Sequence, residues 1–183
     1  MSQKPENAAV WMLHADIHRS PVYSLPDGYR LRFYKPGDVA SWVNIQQQSD
    51  PYFTAGEAAF AQYMPDPDRW PQRVMFLVDP LGDDVGTITA WNDDQLTGID
   101  MGLVHWVAIL PQAQGKGLAK PLLSACLSLM QQLGYTTAYL QTGSARLVAI
   151  NLYLHFGFKA FPKGETDDHA WRIIAPQLKY AIG

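Results

Sequence analysis

A change of hydrophobic pattern near the middle of the chain constrains the fold more than any other feature of the sequence. The run from Val104 to Leu110 is apolar and rich in β-branched residues, which is typical of a buried strand, and Pro111 ends its ladder hydrogen bonding. Beyond Ala119 the apolar residues recur at helical spacing. They are Leu122, Leu123, Cys126, Leu127, Met130 and Leu133. A strand, a short loop and a helix are therefore predicted in direct succession.

The loop of this unit, residues 111–118, carries two glycines, one lysine and no acidic side chain. Where a helix begins, several backbone N–H groups lack partners and lie at the positive end of the helix dipole. Glycine adopts positive φ without strain and lets the backbone approach a ligand closely. The loop is thus predicted to bind an anion, and phosphate or pyrophosphate suits it best.

Two common phosphate-binding motifs do not fit this loop. A nucleoside-triphosphate loop needs Ser or Thr directly after its lysine, but Gly117 follows Lys116. A dinucleotide fingerprint needs a third glycine, and Lys120 stands at that position. An ordinary strand–turn–helix connection that happens to contain glycines is the remaining alternative.

The loop resembles the pyrophosphate loop of the GNAT superfamily, the acetyl-CoA-dependent N-acyltransferases, whose signature is Gln/Arg-x-x-Gly-x-Gly/Ala. The signature fits in two registers, starting at Gln114 or at Gln112, and the position of Pro111 favours the first. The resemblance implies acetyl-CoA as a co-substrate whose phosphates contact the loop. The residues implied are Gln114, Gly115, Lys116, Gly117, Leu118, Ala119 and Lys120.

A second stretch, Ala149 to Phe158, resembles the GNAT pattern Ala-Ile-x-Leu-Tyr-x-x-x-Gly-Phe. In that family the tyrosine is usually the general acid, so Tyr153 is the expected proton donor to the departing CoA thiolate. An unperturbed phenol has a pKa near 10 and a thiol a pKa near 8.5, which is compatible with this role. The alternative is a tyrosine that packs, or that binds the cofactor sulfur without transferring a proton. Asn151, within the same pattern, is also expected to contact the cofactor.

Two positions depart from the family pattern. Seven residues before the tyrosine, where the family often has an asparagine that holds the cofactor, this chain has Arg146. Its guanidinium either meets a CoA phosphate or lies on the surface. Twelve residues before the tyrosine, some peptide-acetylating members have a catalytic glutamate, but this chain has Gln141, which cannot accept the ammonium proton.

The strand before the loop supplies the remaining candidate site residues. The resemblance implies that the backbone of Val107, Ala108 and Ile109 binds the pantetheine arm of the cofactor as an added strand. His105 is the candidate general base, because its unperturbed pKa is near 6.5. A hydrogen-bonded core histidine is the alternative, and proton loss through ordered water needs no protein base. The side chain of His105 shares the face of Val107 and Ile109 unless a β-bulge intervenes, and a bulge is expected in this family.

The resemblance further implies an α/β (α+β) architecture, the GNAT fold. Its mixed central sheet has about six to seven strands, with splayed parallel strands 4 and 5, and about four helices flank it. Residues 28–183 would form the acetyltransferase domain and residues 1–27 an N-terminal extension, with a short helix over 8–18. A capping box from Thr54 to Glu57 predicts a helix start. A closing hairpin is expected from residues 158–161 and 170–174.

Composition and charge limit the classes of partner. The net charge of −3 gives little support for nucleic-acid binding. No apolar run reaches the length of a membrane span and residues 1–19 lack a signal-peptide core, so a cytoplasmic enzyme is expected. His14 and His18 have a metal-binding spacing without a third ligand nearby, and no metal is expected.

The predicted reaction is direct attack of a primary amine on acetyl-CoA in a ternary complex. Cys126 lies on the apolar face of its helix, which favours packing over an acyl-cysteine intermediate.

The acceptor is a small-molecule or peptide amine, and a homodimer through the final hairpin is a further expectation. Residues 28–32 and the His105-Trp106 strand are similar to acetyltransferases that complete low-molecular-weight thiol synthesis, which does not fix a substrate. The competing function is a non-catalytic acyl-CoA-binding or regulatory module on the same fold.

Overall fold

A seven-stranded mixed sheet forms the centre of the computed structural model, which describes residues 7–54, 56–93 and 100–183. The strands are β1 Ala9–His14, β2 Arg30–Phe33, β3 Val74–Val78, β4 Asp84–Asp93, β5 Met101–Ile109, β6 Ala138–Gly143 and β7 Lys159–Ala160. Their order across the sheet is β2-β3-β4-β5-β6-β1-β7. Only the β5–β6 pair is parallel within the part of the chain described. The predicted mixed sheet is confirmed.

Six α-helices accompany the sheet in the described segments. They are α1 Val39–Ser49, α2 Glu57–Tyr63, α3 Trp70–Arg73, α4 Ala119–Gln132, α5 Leu147–His155 and α6 Glu165–Ile174. The four predicted helices are present as α1, α2, α4 and α5, and α3 and α6 are additional. No helix among the described residues combines the length and the apolarity needed to cross a bilayer. The sequence also predicts a polar turn over residues 92–98, most of which lies outside the described residues.

The predicted helix over residues 8–18 is wrong, because Ala9–His14 forms strand β1. Burial along this segment alternates, with Val10, Met12 and His14 buried, and that period of two belongs to a strand. The strand pairs with β6 along its whole length and with β7 on its other side. The N-terminal segment is therefore an inner strand of the sheet. His14 and His18 do not share a helix face.

The predicted closing hairpin is also wrong in its second half. Residues 165–174 form helix α6, whose buried side chains Asp167, Ala170, Trp171 and Ile174 recur at helical spacing. The carboxylate of Asp167 accepts hydrogen bonds from the N–H groups of Lys163 (2.6 Å) and Gly164 (2.8 Å), which stabilises the helix start.

The sequence predicts helix caps at Asp38 and at the Thr54–Glu57 capping box, and both behave differently from expectation. Helix α2 begins at Glu57 with Gly56 as its N-cap, so Thr54 and Glu57 do not form a capping box. Asp38 does occupy the N-cap position of α1, but its carboxylate pairs with Arg32 at 2.6 Å and makes no bond to the helix. A charged partner competes successfully with the helix N–H groups for this carboxylate.

The feature that creates the site is the divergence of β5 and β6. Their pairing is limited to Gly102 with Ala138 and Leu103 with Tyr139, although both strands continue beyond these residues. The predicted splay is confirmed. The helix that follows β5 and the helix that follows β6 therefore begin on opposite sides of a cleft between the two strands.

Candidate active site

One wall of the cleft is the part of β5 beyond Leu103, where the edge toward β6 has no strand partner among the described residues. The N–H group of Leu110 donates to the carbonyl of Val85 on β4 at 2.8 Å. Because backbone groups alternate in direction along an antiparallel strand, Ala108 also faces β4, whereas Val107 and Ile109 face the cleft. Of the three predicted backbone contacts, the structure directs two into the cleft.

A β-bulge interrupts β5 beside this edge. The register with β4 shifts between Thr87 and Thr89, and Trp106 in the bulge has φ of 53°. The side-chain amide of Gln46, on α1, donates to the carbonyl oxygen of Trp106 at 3.1 Å. The expected bulge is thus present, and His105 pairs across the ladder with Thr89. It does not share the face of Val107 and Ile109.

His105 lies in an environment that disfavours its charged form. Burial lowers the pKa of His105 to about 3. Its cross-strand neighbour Thr89 has a buried hydroxyl that finds no hydrogen-bond partner among the described residues. The imidazole is therefore neutral at physiological pH, with an acceptor nitrogen but little affinity for a proton.

The loop between β5 and α4 has the backbone geometry that an anion site requires. Gly115 and Gly117 have φ of 74° and 77°, and a Cβ added at either would meet no atom within 4 Å. The side-chain amide of Gln114 donates to the carbonyl of Ile109 at 2.9 Å, which ties the loop to the end of β5. No hydrogen bond leaves the N–H groups of residues 117–120 within the described chain, and Pro121 has no N–H. Several donors at the start of α4 thus remain free for a ligand.

The two lysines of the loop differ in their surroundings. Both are exposed, but the ammonium of Lys120 also lies 4.9 Å from the ring centroid of Tyr23. The hydroxyl of Tyr23 is hydrogen-bonded to His155 on α5 at 2.6 Å, and its N–H donates to Ser124 on α4 at 3.0 Å. The N-terminal segment therefore joins the first turns of α4 to the end of α5. Sequence reasoning missed this contribution, since nothing local in residues 20–26 indicates it.

Tyr153 belongs to the helix that follows β6. Its side chain is 6% exposed, and burial raises the pKa of Tyr153 to about 12 against a smaller lowering effect of the charge on Arg146. The phenol is therefore protonated throughout the physiological range. Cys126 is fully buried, with its sulfur 3.7 Å from the carbonyl oxygen of Thr89, and burial raises the pKa of its thiol. A buried neutral thiol is a poor nucleophile.

Arg146 and Asn151 make intramolecular contacts away from the glycine loop. The guanidinium of Arg146 pairs with the carboxylate of Asp50 at 2.5 Å. The side-chain oxygen of Asn151 accepts from the N–H of Lys179 at 2.7 Å, and its amide donates to the carbonyl of Leu147 at 2.9 Å. The structure does not bring either side chain to the loop.

A cluster of aromatic rings lies on the α1–α2 side of the bulge. Trp106 is the centre of this cluster, with its ring centroid 5.1 Å from Trp42, 5.3 Å from Phe53 and 4.9 Å from Tyr63. Tyr63 also approaches the ring of His105. From the sequence, Trp42 and Phe53 are expected to line either an acceptor pocket or the core, whereas Tyr63 is not singled out. In the described residues, no group of three or more His, Cys, Asp or Glu side chains is arranged to hold a metal ion.

Comparison with known proteins gives consistent matches for this arrangement. A family model described as "Acetyltransferase (GNAT) family" matches residues 39–158, which is more than half of the chain. A mycothiol acetyltransferase from Geodermatophilus obscurus is 26% identical over 175 residues, covering 86% of this chain and 52% of the relative. The chain spans about half the length of the curated relatives it matches.

Solved structures show the same fold at low sequence identity. A GCN5-related N-acetyltransferase from Sphaerobacter thermophilus matches with a TM-score of 0.69 and 18% identity, over 84% of this chain and 48% of that chain. A chain in a NatC complex bound to Gag peptide and CoA matches with a TM-score of 0.56 and 18% identity, over 69% of this chain and 81% of that one.

Proposed function

Because the chain belongs to the GNAT family of acetyltransferases, we propose that it transfers the acetyl group of acetyl-CoA to a primary amine. The observation that carries this proposal is that a binding surface for the cofactor and a proton donor lie at the same cleft. The unpartnered edge of β5 leads directly into a glycine loop with free N–H donors at the start of α4. Tyr153 stands on the helix after the opposite strand.

In the proposed complex, the free amides of residues 117–120 bind the diphosphate of acetyl-CoA at the positive end of α4. The backbone groups of Val107 and the N–H group of Ile109 hydrogen-bond the pantetheine arm between the diverging strands, since the carbonyl of Ile109 already accepts from Gln114. Backbone N–H groups at the bulge polarise the thioester carbonyl. Lys116 adds positive charge beside the phosphates, whereas Arg146 and Asn151 would reach the cofactor only after leaving their present partners.

The amine attacks the thioester carbon directly, so a C–N bond forms and the C–S bond breaks. The released CoA thiolate takes a proton from Tyr153 in this proposal. With a pKa of about 12 for Tyr153 and about 8.5 for a thiol, this transfer is uphill by about 5 kcal/mol in the unliganded protein. The buried phenol therefore acts best as a donor that stays protonated until charge develops on the sulfur.

The amine must lose its own proton before or during attack. An amine has an unperturbed pKa near 10, so transfer of its proton to His105, with a pKa of about 3, is strongly unfavourable. We therefore place the neutral imidazole of His105 as a hydrogen-bond acceptor for the incoming amine, which loses its proton to bulk solvent through ordered water before it attacks.

The acceptor in this proposal is an amine on a small molecule. Several curated relatives are named mycothiol acetyltransferase, a name that refers to a low-molecular-weight thiol. Since this chain matches only about half of those relatives, their substrate supports the class of acceptor and not its identity.

Calorimetry with acetyl-CoA and with CoA tests the first step, using wild type, Gly117→Ala and Gly134→Ala. Both glycines have positive φ, 77° and 91°, and an added Cβ would meet no atom within 4 Å at either, so the backbone strain is matched. Gly134 follows the far end of α4. We expect binding to weaken only in Gly117→Ala. Absence of binding by the folded wild type would overturn the proposal.

A second candidate function is a non-catalytic acyl-CoA-binding module. It is favoured by the very low pKa of His105 and by Gln141, which leave the described cleft without a strong base. Release of free CoA in the presence of a panel of amines supports the enzyme. Binding of acetyl-CoA without release on any amine supports the module.

A further inference from the structure

We propose that the ion pair between Asp50 and Arg146 is a latch that holds the loop of residues 50–54 over the acceptor end of the cleft. Both side chains are then positioning residues for the acceptor amine, acting through the loop. This inference rests on the proposed acetyl transfer and assigns the control of acceptor binding to a specific contact.

The latch connects the two walls of the cleft. Asp50 directly follows α1, the helix whose Gln46 is bonded to the bulge of β5 at Trp106. Arg146 directly precedes α5, and its N–H donates to the carbonyl of Gly143, the last residue of β6, at 2.9 Å. Because β5 and β6 diverge, a bond between these two residues spans the opening between them.

The loop is folded around Asp50. The carboxylate of Asp50 accepts the N–H of Tyr52 at 3.0 Å, and its carbonyl accepts the N–H of Phe53 at 3.1 Å. The guanidinium of Arg146 lies 5.8 Å from the ring centroid of Tyr52. Loss of the ion pair would therefore release the whole turn and not a single side chain.

The loop in turn shapes the surface beside the proposed reaction centre. Phe53 packs edge-on against Trp106 and Trp42, at 5.3 and 5.6 Å between ring centroids. Trp106 adjoins His105, the proposed acceptor of a hydrogen bond from the amine. A displaced loop would alter the pocket for the amine and leave the glycine loop on the other side of the cleft unchanged.

The exposure of the pair separates a positioning role from a role in global stability. The side chains of Arg146 and Asp50 are 36% and 19% exposed, and ion pairs with access to solvent contribute little to the free energy of unfolding. Substitution should therefore leave the protein folded while loosening one loop.

The test is a double-mutant cycle with Asp50→Asn, Arg146→Gln and the double variant. Asparagine keeps an oxygen for the N–H of Tyr52 and removes only the charge. We expect each single change to raise the KM for the amine on the order of tenfold, with the KM for acetyl-CoA and the melting temperature unchanged. The double variant should be no worse than either single variant, and Arg146→Lys should recover most of the loss.

The pair between Asp168 and Arg172 on α6 provides the matched control, since its atoms are also 2.5 Å apart. Arg172→Gln should have no effect on either KM. Additive effects of Asp50→Asn and Arg146→Gln would mean that each side chain contacts a substrate separately, which overturns the latch. Weaker acetyl-CoA binding in Arg146→Gln would assign Arg146 to the cofactor and overturn it equally.

Hydrogen exchange provides a readout that does not need turnover. We expect the amides of Tyr52 and Phe53 to exchange faster in Arg146→Gln than in wild type and in Arg172→Gln. Unchanged exchange overturns the latch even if acetyl transfer is demonstrated. If these two amides exchange faster in Arg146→Gln but the folded wild type binds no acetyl-CoA, the latch is supported and the proposed function is rejected.

Discussion

The side-chain amide of Gln46 donates a hydrogen bond to the carbonyl oxygen of Trp106 at 3.1 Å, and this contact joins helix α1 to the bulge in β5. Trp106 is the only non-glycine residue in the described chain with positive φ, at 53°. Such a conformation is costly for a bulky residue and persists where the surroundings hold it in place. The bond from Gln46 is one of these restraints, and it lies beside the proposed site of attack.

Gln46→Leu should therefore destabilise the protein and slow turnover. Gln46 is 3% exposed, so its loss leaves the carbonyl of Trp106 without its donor, at a cost of about 1–2 kcal/mol in the free energy of unfolding. Gln48→Leu is the matched control, because Gln48 is exposed on the same helix and its side chain donates to Asn44, also exposed on that helix. The free energy of unfolding, measured in urea, and kcat should both decrease in Gln46→Leu. Neither should change in Gln48→Leu. Equal effects of the two changes would contradict the role of the bulge contact.

Tyr153→Phe should lower kcat about a hundredfold while leaving the KM for acetyl-CoA nearly unchanged, if Tyr153 protonates the thiolate. Because its pKa is about 12, we expect no inflection from this residue in the rate between about pH 6 and pH 9. Tyr135→Phe, at the end of α4, is the control. The measurement is the steady-state kcat and KM of each variant under conditions where the chemical step limits the rate. Full activity of Tyr153→Phe would assign the tyrosine to packing.

The parts of the fold that could be predicted from sequence are those determined by local pattern. The strand over Val104 to Leu110, the glycine loop and the helix after it occupy adjacent residues, and each has its own periodicity or turn signal. The place of β1 could not be predicted, because its partner β6 lies more than a hundred residues further along the chain. Likewise, nothing near Gln46 or Asp50 indicates that its side chain reaches Trp106 or Arg146.

Met12→Ala should show that the N-terminal strand is part of the core. Met12 is fully buried between β6 and β7, and truncation of a buried methionine costs about 2–5 kcal/mol. Ala9→Ser, at an exposed position of the same strand, should cost little. Chemical denaturation of both variants is the measurement. A loss below about 1 kcal/mol for Met12→Ala would contradict the place of this side chain in the core.

His105 should make the stability of the protein depend on pH. Its pKa of about 3 in the folded state is below its ordinary value of about 6.5, so protons bind preferentially to the unfolded chain. Above about pH 7 both states are neutral at this residue and its contribution is constant. As the pH falls from about 6.5 toward about 3, stability is progressively lost. The buried His14, whose pKa is also lowered by burial, acts in the same direction, so the decisive quantity is the difference between wild type and His105→Gln.

Urea unfolding at pH 7 and pH 5 should show a smaller loss of stability in His105→Gln than in wild type. The variant His18→Gln, at an exposed position, should behave as wild type. An identical loss in wild type and His105→Gln would contradict a lowered pKa for His105 and would favour this residue as the general base.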